Sequence, residues 1–130
     1  MKQIVFILFT LLVAVGTVTA QQKANISAEN TVHDFGTIAE NGGKVSHTFT
    51  IKNTGDAPLV ITRVIASCGC TTPEWTKTPI EPGKTGEVKV TYNPARRPGP
   101  FAKTISVYSN GKDGNYILTI KGTVTEGSPE

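Results

Sequence analysis

The chain has 130 residues, with 13 Lys and Arg against 10 Asp and Glu, a formal net charge of +3 and 38% hydrophobic residues. That length accommodates one domain built round one core. The basic residues are scattered singly apart from Arg96 and Arg97; a nucleic-acid partner is excluded on this ground, because phosphate binding needs cations gathered on one face.

The N-terminus carries a targeting signal. Lys2 and Gln3 lead into an apolar run from Ile4 to Phe9 and on through Leu11 to Val15, and the polarity jumps at Gln21 after Val18, Thr19 and Ala20. A basic start, an apolar middle and compact residues before the break are the three parts of a secretory signal peptide. The run falls short of the about 20 apolar residues a membrane helix needs. Residues 1–20 are therefore expected to be cleaved. Residues 21–29 are expected to form a flexible lead, 30–125 the folded domain and 126–130 a flexible tail. The first mature positions carry no cysteine for a lipid anchor, and no later segment reaches membrane length. The expected product is soluble and secreted or periplasmic, without a transmembrane segment.

Within the domain the dominant signal is alternation of apolar and polar residues with period two, the mark of strands with one buried face. A short first strand falls around Val32 to Phe35. Lys44 to Asn53 alternates best, with Val45, His47, Phe49 and Ile51 on one face. Leu59 to Ala66 is apolar on both sides, which predicts a central strand. Glu87 to Tyr92 buries Val88, Val90 and Tyr92. Phe101 to Tyr108 is interrupted by Lys103, which predicts a position near an edge. Tyr116 to Val124 directs Tyr116, Leu118, Ile120 and Val124 inward.

Turn chemistry separates these runs. Asn41-Gly42-Gly43 supplies the positive φ of a tight hairpin, Asn53 to Pro58 suits a longer hairpin, and Pro82-Gly83 fits the centre of a type II turn. Asn110 to Gly114 closes the last hairpin. Strands recurring every 8 to 14 residues or so, with no amphipathic helix between them, predict an all-β, immunoglobulin-like antiparallel β-sandwich of about seven strands.

Four stretches in particular, His33-Asp34-Phe35-Gly36, Phe49 to Leu59, Ser67-Cys68-Gly69-Cys70-Thr71-Thr72 and Ile80 to Tyr92, give the chain its likeness to known sequences. From about His33 to Val124 it resembles the bacterial domain-of-unknown-function family 1573. The resemblance implies an immunoglobulin-like sandwich related to those of major sperm protein, pilus chaperones and ASH domains. It also implies a secreted or periplasmic protein of Bacteroidetes-type bacteria. Antibody domains tie their sheets with a disulfide between distant strands; here the two cysteines are two residues apart and cannot do so.

Cys68 and Cys70 are the only cysteines, and in an exported protein they are a candidate disulfide or thiol pair. Gly69 permits the backbone angles such a short bridge needs. Closing a loop of about three residues stabilises a fold by only roughly 1.6 kcal/mol before strain. Three readings follow. The pair is a local structural element, or two thiolates of a metal site completed by His33 and His47 on adjacent hairpin strands, or a thiol-disulfide exchanger. Against the metal, His47 alternates in phase with Val45 and Phe49, as a core histidine does. Against exchange, the flanking Ser67, Thr71 and Thr72 bring no cation and no helix start.

Thr71, Thr72 and Trp75 mark a candidate interaction loop running from Cys68 to Trp75, although a lone tryptophan more often covers the end of a core. Arg96 and Arg97 are read as a solvated loop tip rather than an anion site. No nucleophile with a base, no carboxylate pair and no phosphate loop stands out, so catalysis and a cofactor are not expected. The function predicted is a non-catalytic interaction or structural module whose partner is a protein or envelope component, with thiol-redox or metal handling through Cys68 and Cys70 as the alternative.

Overall fold

The computed structural model describes residues 23–127; the expected signal peptide and the end of the expected tail lie outside that range. The described residues form eight strands: β1 (Ile26–Ala28), β2 (Val32–Ala39), β3 (Val45–Asn53), β4 (Ile61–Ala66), β5 (Thr71–Trp75), β6 (Thr85–Tyr92), β7 (Gly99–Ser109) and β8 (Asn115–Thr125). They make two four-stranded sheets, ordered β1-β3-β6-β5 and β2-β8-β7-β4. The all-β sandwich is as expected, and among the described residues no helix is long and apolar enough to cross a membrane.

The best alternating runs became the middle of the core. β3 and β6 pair over their whole length, from Val45 opposite Tyr92 to Lys52 opposite Thr85. Their inner residues Phe49, Ile51, Val88, Val90 and Tyr92 meet Ile105, Val107, Leu118 and Ile120 from β7 and β8, all at most 1% exposed. Period-two burial on both layers is what drives two sheets together.

Several expectations were overturned. The segment 21–29, predicted to be loose, contains β1, anchored by buried Ala24 and Ile26; three residues are too few to show alternation. The stretch predicted as a loop from Cys68 to Trp75 contains β5. β2 pairs with β8 in parallel, so the sandwich is not wholly antiparallel. Asn41 to Gly43 and Asn53 to Pro58 carry the chain from one sheet to the other rather than closing hairpins. The predicted central and edge strands also exchange places. Among the described residues β4 pairs with β7 alone and lies at an edge, with Ile65 49% exposed, while β7 is central. Apolar residues on both faces of β4 thus reflect an exposed isoleucine. The misleading Lys103 of β7 is half-buried on the inner phase, where a long stem can reach water with its charge. The Pro82-Gly83 turn is as predicted, with Gly83 at φ +80° and the Lys84 N–H donating to the Glu81 carbonyl at 2.9 Å.

The two edges flanking the β4–β5 crossover differ. The Asn93 N–H donates to the Cys70 carbonyl and the Thr76 N–H to that of Glu87, at 2.9 and 3.0 Å. By the alternation of an antiparallel ladder, Thr71, Pro73 and Trp75 turn their backbone outward. Pro73, with no N–H, therefore sits on the open side and blunts that edge. On β4 the Ser67 N–H donates to Thr104 at 2.9 Å, so Ile65 faces β7 and the backbone groups of Val64 and Ala66 face out.

Candidate functional site

The sandwich has two unlike ends. At one, Asn53 closes β3 and is fully buried. Its Nδ2 donates to the carbonyls of Ala57 and Ile80 at 2.7 and 2.9 Å, and its Oδ1 accepts from the N–H groups of Gly55 and Asn25 at 2.9 and 3.2 Å. Four satisfied bonds make a buried amide a structural knot rather than a reactive group. Its sequence signal was position: Asn53 continues the inner phase of Val45, His47, Phe49 and Ile51.

At the other end, the crossover from β4 to β5 carries Cys68 and Cys70, joined as a disulfide with Cα atoms 5.3 Å apart. Gly69 between them borders open space. Cys70 is buried, 6% exposed, and Cys68 is half-buried. The Cys70 N–H donates to Cys68 Sγ at 3.0 Å. The Thr71 hydroxyl lies 3.9 Å from Cys68 Sγ and 3.7 Å from Cys70 Sγ. Both sulfurs are therefore within reach of donors that favour a thiolate once the bond opens.

The residues completing this end come from the β6–β7 loop, which the Asn93–Cys70 hydrogen bond holds beside the disulfide. The Asn93 side chain accepts from the Ala95 N–H at 3.1 Å and the Arg97 N–H donates to the Pro94 carbonyl at 3.1 Å. Arg96 takes a left-handed φ of +62°, an unusual conformation for a side chain other than Gly or Asn. Gly69, Cys70, Asn93, Ala95, Arg96 and Arg97 line one open hollow of about 500 Å³. Burial raises the Tyr92 phenol above its ordinary value, and Arg97 lies close enough to oppose this in part by favouring the ionised form. Two exposed cations thus stand near a cysteine pair whose own sequence neighbours are uncharged.

The other predicted site residues are placed as follows. Thr71 is buried, Thr72 points outward and Trp75 packs against the core, with Lys77 Nζ 4.2 Å above its ring. The tryptophan Nε1 is buried, with no hydrogen-bond partner among the described residues. His33 and His47 are not hairpin neighbours, because β2 and β3 belong to different sheets. Their rings stack across the sandwich at 3.7 Å and 7°, each edge-on to a phenylalanine, Phe35 and Phe49. Burial, and then the neighbouring His33, lower the His47 pKa below its ordinary value. Neither histidine joins the cysteines: among the described residues no three His, Cys, Asp or Glu side chains converge to hold a metal ion.

These sheets define a β-sandwich domain. Residues 26–124 match the model of the family described as "Protein of unknown function (DUF1573)", and the chain belongs to that family. No curated protein matches it. Among solved structures it is similar to a protein of unknown function from Porphyromonas gingivalis W83, at 22% identity and a TM-score of 0.70. That match covers 84% of this chain and 50% of the other, so this chain spans half the length of its structural relative. It is also similar to the secreted serine protease VesC from Vibrio cholerae, at 15% identity and TM-score 0.59, over 81% of this chain and 24% of that one. The VesB protease from the same organism matches at 18% and 0.57, over 79% and 32%. At such identities the likeness is one of fold.

Proposed function

We propose that this domain is an exported, non-catalytic interaction module of the bacterial envelope that binds an extended segment of a protein partner along the edge of β4. The supporting observation is the outward backbone of Val64 and Ala66, a pairing row left open at the rim of the second sheet. Beside it a track with an isoleucine at each end and a serine between them crosses the outer face, since Ile65 aligns with Ser106 and Ser106 with Ile117. Ile65 and Ile117 are 49% and 45% exposed. An added strand would gain main-chain hydrogen bonds from β4 and side-chain burial from that track, whereas Pro73 denies the same opportunity at β5.

The test is selection of extended peptides against the folded domain, followed by amide hydrogen exchange. Bound peptides are expected to protect the Val64 and Ala66 amides. Ala66→Pro removes an edge donor without breaking the β4–β7 ladder and is expected to weaken binding about tenfold, the equivalent of one good hydrogen bond. Ile65→Lys should act in the same direction. Binding that leaves both amides exchanging freely refutes the assignment.

A further inference from the structure

Beyond strand capture, the geometry points to a second activity at the opposite side of the crossover: Cys68–Cys70 is a redox-active disulfide that oxidises thiols carrying carboxylates, gathered by Arg96 and Arg97. Neither of its parts belongs to the β4 edge.

The first part is the disulfide. A bridge between residues two apart closes a minimal loop and lends the fold little stability, so by linkage the fold protects it little in return, and bonds within reach of solvent are among the more readily reduced. Cys68 is the accessible partner and Cys70 the buried one, which directs attack to Cys68 and makes Cys70 the leaving group. That leaving sulfur belongs to the residue lining the cationic hollow, with the Thr71 hydroxyl 3.7 Å away. A leaving thiolate stabilised by a donor and nearby cations departs faster.

The second part is the hollow. Its lining combines Arg96 and Arg97 with Gly69, Cys70, Asn93 and Ala95 and includes no carboxylate, so its field favours an anion beside the disulfide. Gly69 places no side chain over the approach, and a Cβ there would meet nothing within 4 Å.

The chemistry balances with the substrate as reductant. A substrate thiolate attacks Cys68 Sγ, the Cys68–Cys70 bond breaks, and Cys70 leaves as a thiolate, giving a mixed disulfide on Cys68. A second substrate thiolate attacks the substrate sulfur of that mixed disulfide and releases Cys68 as a thiolate. Two thiolates thereby lose two electrons and become one disulfide, and the protein is left with two reduced cysteines.

The test measures how fast the intact protein's disulfide opens, by alkylation and mass, at matched thiolate concentrations. The probes are mercaptosuccinate, which is anionic, neutral 2-mercaptoethanol and cationic cysteamine. Mercaptosuccinate is expected to react about tenfold faster than 2-mercaptoethanol, the low end of charge steering, and cysteamine slower than either. The preference should collapse in the Arg96→Asn/Arg97→Gln variant, where Asn tolerates the left-handed φ, and should shrink in the unmodified protein as salt is raised. Lys112→Gln, at the far end of the sandwich, should leave it unchanged. An acidic cysteine peptide reacting faster than mercaptosuccinate would identify proteins as the substrates, and the reverse would identify small thiols. Equal rates for the three probes, or a preference that survives loss of both arginines, overturns the assignment and leaves strand binding at β4 unaffected.

Discussion

The Asn53 end and the Cys68–Cys70 end solve the same problem, how to finish a sandwich, by opposite means. At the first, one fully buried amide ties together residues 25, 55, 57 and 80, with all its own hydrogen-bonding capacity used. At the second, the crossover is tied by a bond between residues two apart, a half-buried sulfur remains within reach, and two cations stand beside it. Stability and chemistry are thus assigned to different ends of one small fold, and each can be altered with little effect on the other.

The sharpest challenge to that division is Asn53→Ala. It leaves the Ala57 carbonyl and the Asn25 and Gly55 N–H groups, all part-buried, without that partner, while the Ile80 carbonyl keeps the Leu59 N–H at 2.9 Å; each group left unpaired costs about 1–3 kcal/mol. Allowing for relaxation, thermal unfolding should reveal a loss of about 3 kcal/mol, or a Tm lower by more than about 10 °C. The disulfide opening rate should be unchanged well below the new Tm. A loss under about 1 kcal/mol would mean that the knot is not what closes that end.

Removing the disulfide is expected to do much less. Cys68→Ser/Cys70→Ser should lower stability by no more than about 1.6 kcal/mol, the loop-entropy limit for so short a ring. A larger loss in denaturant unfolding would show that the bond also holds the two sheets in place.

Smaller again is the effect of acid, which acts between the ends. His47 has a lowered pKa in the fold, so the unfolded chain takes up its proton more readily than the native one. The neutral imidazole's contribution is fully present above the ordinary value of 6.5 and is lost as pH falls through the lower native value. Stability should therefore decline on mild acidification, and His47→Phe should flatten that slope. The smallest change is Lys112→Gln, expected within about 0.5 kcal/mol of the unmodified protein, because its side chain is exposed.

Legibility in the sequence followed the physics of each element. β3, β6 and β8 could be read because one buried face imposes period two over eight or more residues. β5 carries the same phase, Thr71, Pro73 and Trp75 against Thr72 and Glu74, but a proline in the middle argues against a strand until the strand is known to lie at an edge. Parallel pairing of β2 with β8 leaves no trace in alternation, which reports which face is buried and not which neighbour is bonded. The cysteine pair was visible, and so were Arg96 and Arg97. What could not be read was their proximity, because it depends on the Asn93–Cys70 hydrogen bond between segments far apart in the chain.

The short span of the disulfide has a kinetic consequence as well. A bridge between distant strands forms correctly only after those strands have met, and it can be mispaired on the way. Cys68 and Cys70 are neighbours in any conformation of the chain, so an oxidant can join them before the strands have met as readily as after. The ring therefore offers folding no guidance and no proofreading. The order in which this molecule matures, oxidation first or folding first, is left to whichever oxidant it meets.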